Sequence, residues 1–371
     1  MIKKVFVIMM IFMVFVFSHL FAGDGGWAEK LKFSGDYRLR YQTEDKGKAT
    51  DNYYRSRYRT RFRLKGEANI NDELSVNFGL ATGSNDPRST NQTLENVFEP
   101  KNINLDYVYA KYKFPIELNF IGGKFATKEV IWTPSDLLWD GDINLEGFGL
   151  RKNFDLEVVK LFLNAGYIVI DNFDRKETQN PSMFVIQPGA EVALNDKTKL
   201  KLGVSIYNFD NPDKELFNNT KGDGGKSNTL KDATHYQYTY NILSFGLELA
   251  FEETFLTIPK VAVFAEGVQN PDPDNKNVGF LSGLKFGSKS IKNFGDWEAV
   301  IMYRELQKDA WLDIFPDSDT LGGQTDNQGI KCSLTFGLTK NTTFGANYYH
   351  IGTVGNNDKK DLIQLDLGIK F

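Results

Sequence analysis

The chain has 371 residues, 41% hydrophobic and 25% charged, with a mean hydropathy of −0.38 and a formal net charge of −4. Beyond the N-terminus no apolar stretch approaches the ~18 residues of a spanning helix, which excludes a polytopic helical membrane protein. Thirty Phe, 16 Tyr and 5 Trp exclude a disordered chain, and abundant Asn, Gly and Thr without long helix-forming runs favour an all-β one.

At the N-terminus Lys3 and Lys4 precede an apolar run from Val5 to Phe17, and Ala22 offers a small residue for cleavage. This is the layout of a signal peptide, expected over 1–22, with the exported domain over 23–371. Without Lys3 and Lys4, 42 basic residues remain against 48 acidic ones, a net charge of −6 that argues against nucleic acid as a partner. Cys332 is alone, so an exported fold must be held by hydrogen bonds and packing without an internal disulfide.

From Leu31 to Thr43 the chain alternates. Leu31, Phe33, Gly35, Tyr37, Leu39 and Tyr41 take one face; Lys32, Ser34, Asp36, Arg38, Arg40 and Gln42 take the other. Tyr58 to Ile70 repeats the pattern, and after a turn at Asn71-Asp72 so do Leu74, Val76, Phe78 and Leu80. Period-2 alternation predicts strands with one apolar and one polar face. Further strands are expected over 103–114, 118–125, 147–154, 160–170, 184–194, 199–208, 236–251, 260–267, 278–286, 297–305, 330–338, 343–350 and 362–371, making 16. In the 236–251 strand the apolar parity flips between Ile242 and Leu243, which predicts a β-bulge there.

The connections alternate in length. Short polar turns sit at 71–72, 115–116, 155–156, 195–197, 252–254 and 339–341, with a longer link of the same class at 287–296. Long loops occupy 44–54, 83–102, 126–146, 171–183, 209–234, 270–277, 306–329 and 352–361. Eight long loops and seven short turns predict a transmembrane antiparallel up-and-down β-barrel with long extracellular loops and short periplasmic turns. A soluble sandwich would need two sheets of ~8 strands, large for that class. Phe371 ends a strand carrying Ile363, Leu365, Leu367 and Ile369 on the same face, and a terminal Phe in that setting resembles the assembly signal of outer-membrane proteins.

Arg55, Arg57, Arg59, Arg61, Arg63 and Lys65 place six basic residues at consecutive alternate positions. They cannot face lipid, where each would cost up to ~2–4 kcal/mol near the midplane. Nor can they occupy a dry core, where each unpaired ion costs several kcal/mol. They are expected to line water, with Arg38 and Arg40 of the preceding strand widening the stripe. Two readings follow: a charge-balanced wet wall, or an anion-attracting path through a pore.

The third long loop carries Glu129, Asp136, Asp140, Asp142 and Glu146. Asp140, Asp142 and Asn144 resemble the opening of a calcium loop. However, Leu145 stands at the position that needs glycine and Arg151 where the bidentate Glu would be. The cluster Asp313, Asp317, Asp319 and Asp326 is a vague candidate for surface divalent cations, so no metal or cofactor is firmly expected. Catalysis is not expected either, since the domain holds only His235 and His350, both at outer strand ends. Tyr236, Tyr238 and Tyr240 fit an interfacial aromatic girdle.

Pro134-Ser135-Asp136-Leu137 followed by Trp139-Asp140-Gly141-Asp142-Ile143-Asn144-Leu145-Glu146-Gly147 resembles the third-loop signature of a bacterial "putative porin" family. A second match runs through Asp309-Ala310-Trp311, Asp317-Ser318-Asp319, Gly322-Gly323, Thr325 and Gly329. The early Arg stripe is a third, so the resemblance covers essentially the whole exported chain. Leu145 departs from it, because proline is expected there. The resemblance implies an outer-membrane porin passing small hydrophilic solutes. By analogy with general porins it also implies a third loop folded into the lumen, where Asp136, Asp140, Asp142 and Glu146 would oppose the arginines across a constriction. The surroundings it implies are outer-membrane lipids and lipopolysaccharide, with the barrel-assembly machinery as a partner, and it is compatible with a homotrimer. Two other functions fit the same residues: a specific channel for acidic oligosaccharides, and a non-conducting structural or adhesive barrel.

Overall fold

Each alternating segment pairs with the next, and the last pairs with the first. The computed structural model describes residues 26, 28–45, 54–172, 180–212, 227–232, 235–254, 258–356 and 359–371; the expected signal peptide lies outside the described residues. The strands are β1 (Leu31–Asp45), β2 (Tyr54–Asn69), β3 (Leu74–Thr82), β4 (Gln92–Thr93), β5 (Ile103–Phe114), β6 (Leu118–Ala126), β7 (Asn144–Leu156), β8 (Val159–Val169) and β9 (Ser182–Asn195). They continue as β10 (Thr198–Asp210), β11 (Tyr240–Thr254), β12 (Ile258–Gln269), β13 (Val278–Gly287), β14 (Trp297–Leu306), β15 (Asn327–Thr339), β16 (Thr342–Thr353) and β17 (Lys359–Lys370). β4 is a two-residue segment beside β2, opposite Arg59 and Thr60. The other sixteen strands run antiparallel to their neighbours in chain order, and β17 closes on β1 through Asp36↔Lys370 to Glu44↔Leu362. The expected closed, sixteen-stranded, up-and-down barrel is therefore observed.

Closure leaves no unpaired edge, which a bilayer requires. The outward face is apolar and exposed: Phe120, Phe148, Leu150, Leu163, Val204, Phe245, Phe280, Ile301, Phe344 and Leu365 all stand on it. At the closing seam, Gly35 N–H donates to the Phe371 carbonyl at 2.8 Å and Phe371 N–H to the Gly35 carbonyl at 3.1 Å. The Phe371 ring covers the place where a Cβ on Gly35 would sit and stacks on Phe62 at 6.1 Å. Asn71 shapes the first short turn, its Oδ1 accepting the Glu73 and Leu74 N–H groups at 3.0 and 2.7 Å.

The bulges fall elsewhere than the parity suggested. Between β10 and β11 the register is continuous from Thr198↔Phe251 to Phe209↔Tyr240, so no bulge separates Ile242 from Leu243. The flip has another cause. Tyr240 and Ile242 point inward and are buried against loops that fill the barrel, whereas Leu243 and Phe245 point outward. Tyr236 is likewise buried, 5.6 Å from Tyr240, so these two tyrosines belong to the interior and not to an interfacial girdle. A bulge does occur in β5, where Gly79 pairs with Tyr107 but Leu80 pairs with Leu105. The extra residue, Asp106, switches the outward parity from Ile103 and Leu105 to Val108 and Tyr112.

Candidate functional site: a basic wall facing inward loops

Three long connections turn into the barrel: loop 2 (residues 83–102), loop 3 (residues 127–143) and loop 7 (residues 307–326). Loop 2 joins the others by polar contacts of Arg88 and Thr90, whereas the apolar residues of loops 3 and 7 meet inward-facing apolar residues of the wall in one core. Leu137, Leu138, Ala310, Trp311 and Leu312 are fully buried. Trp311 is surrounded by Tyr207 at 4.9 Å, Trp139 at 5.4 Å, Phe209 at 5.5 Å and Phe315 at 6.2 Å. Burying a Leu or Phe side chain contributes roughly 1.5–3 kcal/mol, so this core can hold loops inside a lumen that would otherwise be water. Both loops 3 and 7 re-enter the wall through a glycine at positive φ, Gly147 (φ 146) and Gly329 (φ 157). A Cβ at either would lie 2.2 or 2.1 Å from the carbonyl oxygen of Tyr167 or His350 on the neighbouring strand.

Inward polar residues of the wall tether the loops. The Gln187 amide clamps the Trp132 backbone, accepting its N–H at 2.9 Å and donating to its carbonyl at 2.7 Å. Ser135 donates to Glu266. Lys331 reaches Asp136 at 2.6 Å and Asp317 at 3.8 Å, and Arg304 donates to the Leu137 carbonyl at 3.2 Å. None of these anchors stands out in the sequence. Their one sequence signal is inward parity, and it does not name a partner.

The arginines of β1 and β2 form the opposite side. Register sets Arg38 across from Arg61 and Arg40 across from Arg59, which makes one contiguous basic field. Arg38, Arg57, Arg61 and Arg63 keep 14–24% side-chain exposure, so they border solvent; Arg40 is enclosed at 5%. Arg55 lies exposed at the outer end of the row, and Lys65 is half-buried near the other end of β2. Carboxylates steady the field. Asp36 accepts from Arg61 at 2.7 Å and Arg63 at 2.9 Å. Asp366 takes a bidentate pair from Arg40 at 2.7 and 2.8 Å, and Asp319 of loop 7 lies 3.3 Å from the same arginine.

Of the loop-3 carboxylates named from sequence, only Asp142 reaches this field. It accepts from Arg63 at 3.3 Å and from the N–H and hydroxyl of Thr90 at 3.1 and 3.0 Å. Asp136 pairs with Lys331 instead. Asp140 is buried at the contact with loop 7, accepting from Ser318 N–H at 2.7 Å and Asp142 N–H at 2.9 Å. Glu146 stands apart. Because β7 starts at Asn144, Glu146 is a strand residue on the outward side, paired with Lys124 at 2.9 Å. Leu145 is buried in the same strand opposite Phe125. The acidic cluster of loop 7 is split: Asp313 and Asp317 are buried, Asp319 and Asp326 half-buried. Asp313 accepts the Ser227 and Asn228 N–H groups at 2.6 and 2.9 Å, and no metal-ligating group of three occurs among the described residues.

Solved structures share this architecture at low identity. OprB of Pseudomonas putida, in a high-pH structure, matches with a TM-score of 0.58 at 13% identity over 93% of this chain and 95% of its own. A mutant of the Rhodopseudomonas blastica porin matches with a TM-score of 0.51 at 10% identity, over 92% of this chain and 100% of its own. These likenesses establish the barrel fold. No curated protein matches the chain by sequence. The family model described as "Putative porin" matches residues 47–241 and 243–371, most of the chain, and the protein belongs to that family.

Proposed function

We propose that the protein is an outer-membrane porin, a passive channel for small hydrophilic solutes that favours anions, and not an enzyme. The observation that carries this reading is the solvent-bordering arginine field of β1 and β2, faced by inward loops through Asp142 and Asp319. Solvent-bordering arginines that outnumber the carboxylates paired with them leave a positive local field, which attracts anions and disfavours apolar solutes. The family and the barrel neighbours support a porin channel. The excess of arginines over facing carboxylates in that stretch of wall supports the anion preference.

The dense aromatic core around Trp311 gives the alternative, a non-conducting barrel, its one point of support. Single-channel recording separates the two, because a folded barrel without conductance overturns the porin reading. For the anion preference, Arg59, Arg61 and Arg63 changed together to Glu move the wall by six charge units. In a pore narrower than twice the ~8 Å Debye length at physiological salt, that charge is incompletely screened. The reversal potential in a salt gradient is expected to shift toward cations, less so at high salt. A conducting variant with unchanged ion preference would leave the stripe as a wet wall only.

A further inference from the structure

The basic field is not uniform. Arg40 is saturated by Asp366 and Asp319, Arg61 and Arg63 share Asp36, and Arg57 lies 3.5 Å from Glu44. Arg59 has no carboxylate within 4 Å among the described residues. Its Nη1 and Nη2 donate to Gln42 Oε1 and Ser89 Oγ, both at a long 3.3 Å. Arg38 is 3.8 Å from Asp366, whose oxygens Arg40 already holds, and its Nη2 donates to Asn91 Oδ1 at 2.6 Å. Both arginines bury an Nε–H that donates to no acceptor, a feature they share with Arg57 and Arg61. Since Arg38 faces Arg61 in register, Arg59 is its diagonal neighbour, about 7 Å away.

Two adjacent guanidiniums that share no carboxylate repel, and the acceptors within hydrogen-bond distance of their forks are neutral oxygens. Charge-assisted hydrogen bonds are about twice as strong as those to neutral acceptors, so an arriving oxyanion outcompetes Gln42, Ser89 and Asn91. We propose that Arg38 and Arg59, framed by Gln42 of β1 and Ser89 and Asn91 of loop 2, form a discrete oxyanion-binding step for the carboxylate or phosphate group of a passing solute. The neighbouring arginines hold their own carboxylates and contribute only to the general field. Exchange of neutral acceptors for the solute keeps binding weak enough for release, which conduction requires. This inference rests on the porin reading and assigns its selectivity to two residues.

The test uses the purified full-length protein in planar bilayers, with chloride as the current carrier and acetate or inorganic phosphate as the competing anion. Saturable reduction of the chloride current is expected with one or both, and which of them acts identifies the group recognised. Arg38→Gln with Arg59→Gln should raise the half-blocking concentration about tenfold or more, the loss of a charge-assisted hydrogen bond. Arg61→Gln with Arg63→Gln removes the same charge and should raise it much less. Arg59→Lys keeps the charge but loses the fork, and should weaken block while leaving the reversal potential nearly in place. Equal effects from the two double variants, or no block by either anion in a conducting wild-type channel, overturn the site. A wild-type barrel that does not conduct overturns the porin reading instead.

Discussion

Asp140 of loop 3 and Asp317 of loop 7 are buried carboxylates at one contact between the loops. Burial first, then the charges of Asp317 and Asp142, pushes the Asp140 carboxyl well above its ordinary value of 3.8. Burial likewise pushes Asp317 up to about 6, against the pull of Lys331 and Arg304 and with the repulsion of Asp136 and Asp319. A carboxyl whose folded value is raised binds more protons in the folded state, so its stabilisation is full in acid and is lost as the pH rises toward about 6. The loop 3–loop 7 contact is expected to be tighter at pH 5 than at pH 8. Asp140→Asn keeps the acceptor for Ser318 N–H and removes the like charge. It should strengthen the contact at pH 8 by on the order of 1–3 kcal/mol and flatten the pH dependence. Protease cleavage within loop 7, measured across that range on the folded barrel, reads this directly; cleavage that rises on acidification would reverse the sign.

Loop 7 is an inward element because it brings its own hydrophobic anchor. Trp311 is fully buried among aromatic side chains from loop 3, from β10 and from loop 7 itself. Trp311→Ala should remove ~3–5 kcal/mol of packing from the interior while leaving the wall intact, since no barrel pairing depends on the ring. The expected outcome is a heat-modifiable barrel with higher conductance and a protease-sensitive loop 7. Unchanged conductance together with an unchanged cleavage pattern would show that loop 7 does not limit the lumen.

Closure of the whole molecule falls on the seam between β17 and β1, which joins the two ends of the described chain. Phe371 lies there, half exposed on the outer face, over Gly35 and against Phe62. Phe371→Ala removes a partly buried ring, a loss of ~1–2 kcal/mol for the closed barrel. If Phe371 is also read by the assembly machinery, the folded fraction in cells should fall far more than the yield of refolding into detergent. Equal, small losses in both settings would reduce the residue to seam packing.

Alternation and loop length made the barrel legible in the sequence, because a strand with one face in lipid and one in water must alternate and its tight turns need only a few polar residues. The sixteen strands, their order and the inward direction of the arginines all follow from that local rule. It failed where the inner face is not wet. Tyr240 and Ile242 mimic a bulge because their apolar side chains face inward loops and not lipid, and the close backbone approach that requires Gly147 and Gly329 comes from a neighbouring strand. The partners of the loop carboxylates were hidden for the same cause. Asp142 meeting Arg63, Asp140 meeting Ser318, and Glu146 turned outward to Lys124 are contacts between segments far apart in the chain or differences of strand boundary. Period-2 pattern carries which face a residue takes. Which carboxylate faces which guanidinium, and so which two arginines are left with neutral acceptors, is decided only when closed strands and inward loops pack around one shared volume.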